Sequence, residues 1–317
     1  VESIAGPVCA SACAPTVHAT LTSHAKRKFS ERSVAMGTIT QDLQQNRLIA
    51  LSEVAAQDLP AGSLYVVGMP IGNAADITLR ALWVLSQADA IAAEDTRVTR
   101  PFLARYGIDT PLLAAHQHNE REVAQHIVER LARGERVAMV TDAGTPGLSD
   151  PGALIVRTAL ETGRRVVPIP GPSSAIAALS VSGVGAGPVV FAGFLPTGAQ
   201  QRERSLRTLA ADKKAFVLFE APHRIADLIA LLSSVLAPGR RVVLARELSK
   251  KFETVSVHKA SELTALRVEE RGEYVVLVDV APATDIDPAD IDPSVARWLT
   301  ALLEEMPPSR AAAIAAK

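Results

Sequence analysis

Apolar residues follow two rhythms along the chain. Short continuous apolar runs occupy 64–67, 88–93, 137–141 and 166–169, and again 189–194, 216–219, 242–245 and 274–280. Runs of this length that do not alternate suit strands covered on both faces. Between them, apolar positions recur at helical spacing. Val123, Ile127 and Leu131 share a face that Gly134 closes; Ile225, Leu228, Ile229, Leu232 and Leu236 share another, which stops at Pro238-Gly239. Alternation of strand and helix predicts an α/β protein with mainly parallel pairing. The glycine-rich stretch 182–188 reads as a link between two α/β domains, 61–183 and 188–281. An acidic segment, 285–293, then leads to a short helix around 295–305 in a tail spanning 282–317, whose last residues fall inside a second helical pattern.

Residues 1–60 differ from the rest. They are rich in Ala, Ser, Thr and Gln, lack a sustained apolar period and read as a flexible extension. No signal-peptide core is visible. Lys26, Arg27, Lys28 and Arg32 among Ser and Thr suggest a transit peptide, which Glu2 and Glu31 oppose. The first methionine is Met36, and the expectation is an over-extended reading frame with its native start there. N-terminal sequencing of the untagged natural protein tests this.

A length of 317 residues fits two domains. With 33 Lys and Arg against 34 Asp and Glu, the net charge is −1, which excludes a globally basic or acidic protein but not a local patch. Hydrophobic residues at 48% exclude a disordered chain, and aromatics at 4% argue against a base-stacking sheet. No apolar run approaches the roughly 18 residues that span a membrane. Cys9 and Cys13, with only His18 and His24 nearby, read as free thiols rather than a metal site. The body can form no disulfide framework, as in a reducing cytoplasm.

Chemistry concentrates at strand ends. The first strand runs into Gly68-Met-Pro-Ile-Gly-Asn73, a turn or a cofactor loop, with neither a dinucleotide fingerprint nor a P-loop. The third runs into Asp142-Ala-Gly-Thr-Pro-Gly-Leu-Ser-Asp-Pro-Gly152, a stiff loop with exposed peptide groups, in which Ser149 or Asp150 also suits a helix cap. The fourth runs into Pro168-Ile-Pro-Gly-Pro-Ser-Ser-Ala175 and then a small-residue helix. Three such loops would converge on one edge of a parallel sheet, where ligands bind. Glu94 and Asp95 follow the second strand beside Arg97 and Arg100, as an ion pair at a helix start or a functional cluster. His116, His118 and Asn119 precede the next helix, as a polar cluster or a cap; a metal would need a third ligand. Glu220 and His223-Arg224 lie beyond a later strand, at a cleft or on a surface turn. Residues 201–260 hold twelve Lys and Arg against six Asp and Glu, a balance of +6 that suits a phosphate-tracking surface.

Taken together, these segments resemble the tetrapyrrole-methylase superfamily of S-adenosylmethionine-dependent enzymes. Within it they resemble most the ribosomal RNA small-subunit methyltransferase I family. The resemblance runs from about 64 to 280, more weakly to the end. It rests on Pro70-Ile-Gly-Asn73 with Asp76-Ile-Thr78, Ala93-Glu-Asp-Thr-Arg97, His118-Asn-Glu120, Asp142-Ala-Gly-Thr-Pro146 with Ser149-Asp-Pro-Gly152, Pro170-Gly-Pro172, Gly193-Phe-Leu-Pro196, Glu220 with His223-Arg224, and Ala245-Arg-Glu-Leu248. It implies a cytoplasmic homodimer of two-domain subunits, with S-adenosylmethionine in the cleft between the domains and S-adenosylhomocysteine as product. It also implies 2′-O-methylation of a cytidine in 16S rRNA of the 30S subunit. By position, donor contacts fall on Ile71, with Pro70 and Gly72, in the first loop. They fall on Thr145 and Leu148, with Asp142 and Gly144, in the second, and on Ser173 and Ser174 in the third. Glu220, Ala245 and a residue near Glu273 follow in the second domain. Met69 replaces the family's usual Thr, Ala74 its frequent Leu, and the family extends past Lys317 with a further helical segment. Glu94, Asp95 and His118 are the candidate bases, with Glu220 behind them, and Arg97 is a candidate for a phosphate or developing negative charge. No metal is implied. The rival readings are a methyltransferase for a tetrapyrrole or other small molecule and a non-catalytic ribosome-binding protein.

Overall fold

The computed structural model describes residues 53–116, 119–185, 187–212, 214–280 and 292–315. The extension up to residue 52 with Cys9, Cys13 and Met36, the candidate base His118, Lys213 and the acidic segment up to residue 291 lie outside the described residues. Residues 53–60 pack rather than extend: Val54 is buried, and Pro60 accepts a hydrogen bond from the Tyr65 hydroxyl at 2.7 Å.

The first sheet holds β1 (Ser63–Val67), β2 (Ala90–Ala93), β3 (Leu112–Ala114), β4 (Val137–Val140) and β5 (Arg165–Ile169) in the order β3-β2-β4-β1-β5. Every pairing in it is parallel. Side-chain parity explains the unbroken apolar runs. Tyr65, Val67, Ile91, Ala138 and Val140 face α1 (Leu79–Gln87) and α2 (Thr96–Ala104). Leu64, Ala92, Val137 and Met139 face α3 (Glu120–Ala132) and α4 (Ala153–Glu161). β3, only three residues long, carries too few positions for a sequence signal.

The link at 182–188 is held in place. Arg241 donates to the carbonyls of Ser182 and Gly183, both at 2.7 Å, and pairs with Asp279. Ahead of the link lies α5 (Ser174–Ser182); beyond it come β6 (Val189–Phe194), α6 (Ala199–Ala211), β7 (Ala215–Glu220), α7 (Ile225–Val235), β8 (Arg241–Arg246), β9 (Thr254–Lys259) and β10 (Tyr274–Val278). The second sheet runs β6-β7-β10-β8-β9.

Here the expectation of mainly parallel pairing fails. Only β6 and β7 are parallel; β10 is antiparallel to both β7 and β8, and β8 is antiparallel to β9. The reason is the connections. A parallel neighbour needs a crossover, whereas β8 and β9 are joined by a short turn. β9 escaped detection because its Thr-Val-Ser-Val-His-Lys sequence is that of an exposed edge strand, not a buried run.

Each face of the second sheet is also covered. Phe216, Leu218, Val242, Leu244 and Val276 pack with α6 and α7. The alternate residues Val217, Val243, Ala245, Val275 and Leu277 pack on Ala175 and Ala178 of α5 and on Ile71 from the first sheet's edge. The small residues of α5 let the two sheets share this core. After residue 291, α8 (Pro293–Glu305) and α9 (Pro308–Ala315) pack on each other; Asp292 caps α8 by accepting from the Ser294 amide at 2.7 Å. No helix among the described residues is long and apolar enough to cross a membrane.

One contact is tested simply. A Cβ on Gly68 would lie 2.7 Å from the Gly171 Cα, against backbone that no rotamer change can clear. Gly68→Ala is expected to lower stability by about 1–3 kcal/mol, the range for overpacking, as read by urea unfolding.

Candidate active site

In a parallel sheet, every loop that leaves a strand's C-terminal end emerges at the same edge. The loops after β2, β4, β1 and β5 therefore rise side by side. Their backbones then lock together. Met69 and Gly144 exchange two hydrogen bonds, at 2.7 and 3.1 Å, joining the first loop to the second. The Thr145 hydroxyl donates to the Pro172 carbonyl at 3.1 Å, joining the second to the third. The Gly68–Gly171 contact joins the third to the first. The predicted convergence is present.

Two adjoining hollows lie along these loops. The larger, about 250 Å³, is lined by residues 69–72, by Asp142, by Val98, Phe102 and Arg105 beside α2, and by Lys250. The smaller, about 70 Å³, is lined by Thr145, Leu148 and Asp150, by Ser173 and Ser174, and by Phe191 and Phe219. Ile71, Ala143 and Glu273 line both. Nine predicted binding residues are thus brought together: Pro70, Ile71, Gly72, Asp142, Gly144, Thr145, Leu148, Ser173 and Ser174.

Ala245 stands one layer behind, packed in the shared core with Ile71. Glu220, expected as a donor contact and as a reserve base, lines neither hollow. Its side chain is fully buried, with one oxygen 2.9 Å from Arg202 and the other 3.2 Å from Arg224. Strand parity is the cause: Phe219 lines the hollow, so its neighbour points to the opposite face.

The carboxylates after β2 interlock with the second loop. Glu94 accepts from the Asp142 amide at 3.3 Å, and Asp142 accepts from the Asp95 amide at 3.2 Å. Asp95 caps α2 through the Arg97 amide and grips the Arg97 guanidinium at 2.7 Å. That contact pulls the Asp95 carboxyl down to about 2, which makes it a poor base. Burial pushes Glu94 and Asp142 above the usual carboxylate range. Burial, with Glu94 and Asp142 nearby, carries Asp150 up to about 6. No other group described here hydrogen-bonds to the Asp150 side chain, although the sequence had offered it only as a helix cap. The cap of α4 comes instead from Glu120, which accepts from the amides of Gly152 and Leu154 at 2.8 and 3.0 Å. Asn119 closes the turn before α3 by bonding the His116 amide and the Ala114 carbonyl. No cluster of three or more metal-ligating side chains is found among the described residues.

The turn after β8 completes the site. Gly72 packs against the Lys250 side chain, and Ser249 hydrogen-bonds Asp76. Lys250 pairs with Glu247 at 2.9 Å and with Glu273 at 3.0 Å. Of the four described non-glycine residues with left-handed backbone, Ser149, Glu247 and Ser249 all lie in these loops. Such conformations cost roughly 1–3 kcal/mol each and cluster at functional sites.

The cations of the basic stretch at 201–260 are not all on the surface. Arg202 and Arg224 hold Glu220; Arg240, itself buried, binds the carbonyls of Ala210, Lys214 and Asp279; Arg241 ties the link; Arg246 and Lys250 hold nearby acids. Half of the +6 stretch's cations are thus internal struts, and they do not form a continuous phosphate track.

Comparison with known proteins agrees with the geometry. Residues 63–264 match the family profile of tetrapyrrole (corrin/porphyrin) methylases, and residues 289–317 match an RsmI C-terminal HTH domain. Proteins named ribosomal RNA small subunit methyltransferase I match most of the chain. The one from Xylella fastidiosa is 46% identical over 81% of this chain and 94% of its own length. That from Pseudomonas aeruginosa is 44% identical over 82% and 93%, and that from Escherichia coli O157:H7 is 43% identical over 82% and 91%. Among solved structures, the methyltransferase CobJ superposes with a TM-score of 0.53 at 22% identity, covering 70% of this chain and 95% of that one. Thermus thermophilus uroporphyrin-III C-methyl transferase complexed with S-adenyl homocysteine gives 0.50 at 20%, covering 68% and 97%. These two share the fold.

The Glu220 assignment gives a stability test. Glu220→Ala leaves Arg202 and Arg224 facing an empty buried position, and removing one partner of a buried pair costs about 3–5 kcal/mol. Urea unfolding is expected to show a loss of that size, with Arg202→Ala similar and the double variant less than additive.

Proposed function

Because the chain belongs to the ribosomal RNA small subunit methyltransferase I family of tetrapyrrole methylases, we propose that it transfers the methyl group of S-adenosylmethionine to the 2′-oxygen of a cytidine ribose in 16S rRNA of the small ribosomal subunit. The observation that carries this reading is the pair of adjoining hollows at the locked loops, about 250 and 70 Å³, which share Ile71 and together approach the volume of a small-molecule site. The donor brings an electrophilic methyl group on a sulfonium.

The smaller hollow supplies one end of such a site. Leu148, Phe191 and Phe219 offer apolar walls, Thr145 and Ser174 offer hydroxyls, and the unpartnered Asp150 carboxylate matches a positive charge. The protein's main task is alignment, and fixed geometry alone lowers such barriers by several kcal/mol. Glu94, pushed up by burial and held by the Asp142 amide, takes the hydroxyl proton. Arg97, its side chain 88% exposed, meets a neighbouring phosphate. The two sheets act as two domains, 61–183 and 188–281, within a cytoplasmic homodimer; the exposed Ile176 and Val181 on α5 support self-association, which sedimentation equilibrium reads directly.

The test is transfer of labelled methyl to 30S subunits lacking their native ribose methylations, with naked 16S rRNA and a tetrapyrrole precursor in parallel. A single 2′-O-methylcytidine is expected, with Glu94→Gln lowering kcat by about 10²–10⁴-fold at unchanged donor affinity. Label in the tetrapyrrole alone overturns the reading, as does 30S binding without transfer.

A pH dependence follows from Asp150. Its charged form favours a cationic donor, so affinity measured by calorimetry should weaken as pH falls through about 6, and Asp150→Asn should be weaker and flat there. Without donor, the sign reverses. A carboxyl raised in the folded state stabilises fully below its unfolded value of about 4 and loses that contribution as pH rises through its folded value. Asp150→Asn should therefore melt higher than the parent at pH 7.

A further inference from the structure

With half of the cations at 201–260 engaged inside the fold, the structure offers an RNA strand a surface at the mouth of the larger hollow. α2 carries no acidic residue, while Arg97, Arg100 and Arg105 on and just beyond it are all exposed. Arg105 lines the hollow together with Val98 and Phe102 of the same helix. Lys250 lines it from the β8–β9 turn, and the tip of that turn is Lys251-Phe252. Phe252 is 65% exposed, the highest exposure among the large hydrophobic side chains described, and the Lys251 ammonium stands 5.5 Å from its ring centre. Among the described residues, Arg100, Arg105 and Lys251 have no acidic partner.

An exposed ring beside a cation costs solubility and contributes nothing to a core. Single-stranded nucleic acid is the ligand that uses both: bases stack on aromatic faces while cations follow the phosphates. Low overall aromatic content does not oppose this, since one ring suffices for one base.

We propose that α2 and the β8–β9 turn form a clamp for single-stranded RNA, with phosphates along Arg97 and Arg105 and a base beside the reacting nucleotide stacked on Phe252. The clamp rests on the reading of the protein as an RNA ribose methyltransferase. It assigns substrate contacts to a helix and a turn from different sheets, so the strand bridges the mouth of the hollow and presents one ribose to it. The turn is held for this role by the Ser249–Asp76 bond and the Lys250 pairs.

Methyl-transfer kinetics on undermethylated 30S subunits test it, with donor affinity measured separately by calorimetry. Phe252→Ala is expected to raise KM for 30S about tenfold, within the range for losing one base stack. Phe252→Trp should restore it, and donor affinity and melting temperature should stay at parental values, since the side chain is exposed. Arg105→Glu should raise KM more and flatten its salt dependence by about one phosphate contact. Parental KM in both Phe252→Ala and Arg105→Glu overturns the clamp while leaving the function standing. Equal loss of donor affinity and RNA affinity also overturns it, since the residues then act on the whole site. Absence of rRNA methylation by the parent protein overturns the functional reading itself, and is distinguished by that control.

Discussion

The site depends on two glycine backbones in contact. Gly68 ends the first strand's exit and Gly171 the fifth's, and either Cβ would lie within 3 Å of the other's main chain. With that approach allowed, the second loop reaches the first through the Met69–Gly144 bridge and the third through Thr145. The result is a wall built from peptide groups, rigid because each loop braces the next. It needs few long side chains, which is why the three segments are rich in glycine, proline and small residues. The same smallness continues into α5, where Ala175 and Ala178 let the second sheet approach closely enough to share a core with Ile71.

Charge is distributed by a different rule. A nearly neutral chain places a strongly basic stretch in its second half, yet six of those cations satisfy buried carboxylates, backbone carbonyls or neighbouring acids. Burying a guanidinium is costly unless its donors are matched, and Arg240 shows the match with three carbonyl acceptors. Net charge along a sequence window therefore says little about surface potential. Arg100 on α2 and Arg105 just beyond it, which have no acidic partner among the described residues, lie outside the basic window.

How much was legible follows the physics of each part. The parallel sheet was visible because strands covered on both faces must be apolar throughout, and convergence of its loops follows from parallel pairing alone. The second sheet's topology was not, because β9 is an exposed edge and antiparallel order depends on which strands a turn joins. A motif gives position along a strand but not parity: Phe219 lines a hollow, and its neighbour Glu220 points to the opposite face. Glu120 caps α4 where Ser149 or Asp150 was expected to, since a cap can come from a distant helix as easily as from the loop itself. The sequence held no signal for the Ser249–Asp76 bond, which joins residues 173 positions apart.

Strain marks where the two halves are held in register. Ser149 takes a left-handed backbone where its hydroxyl packs on Gly193, at the irregularity in β6. Ser249 takes another where the β8–β9 turn bonds Asp76. Both are points at which a loop of one sheet touches an element of the other, on either side of Ile71. A reaction accelerated by alignment requires its two reactants at fixed separation, because an error of about 1 Å is enough to lose much of the effect. Unfavourable backbone angles at these two joints persist because the surrounding packing over-determines them. The separation is then set by the whole fold rather than by any one catalytic side chain.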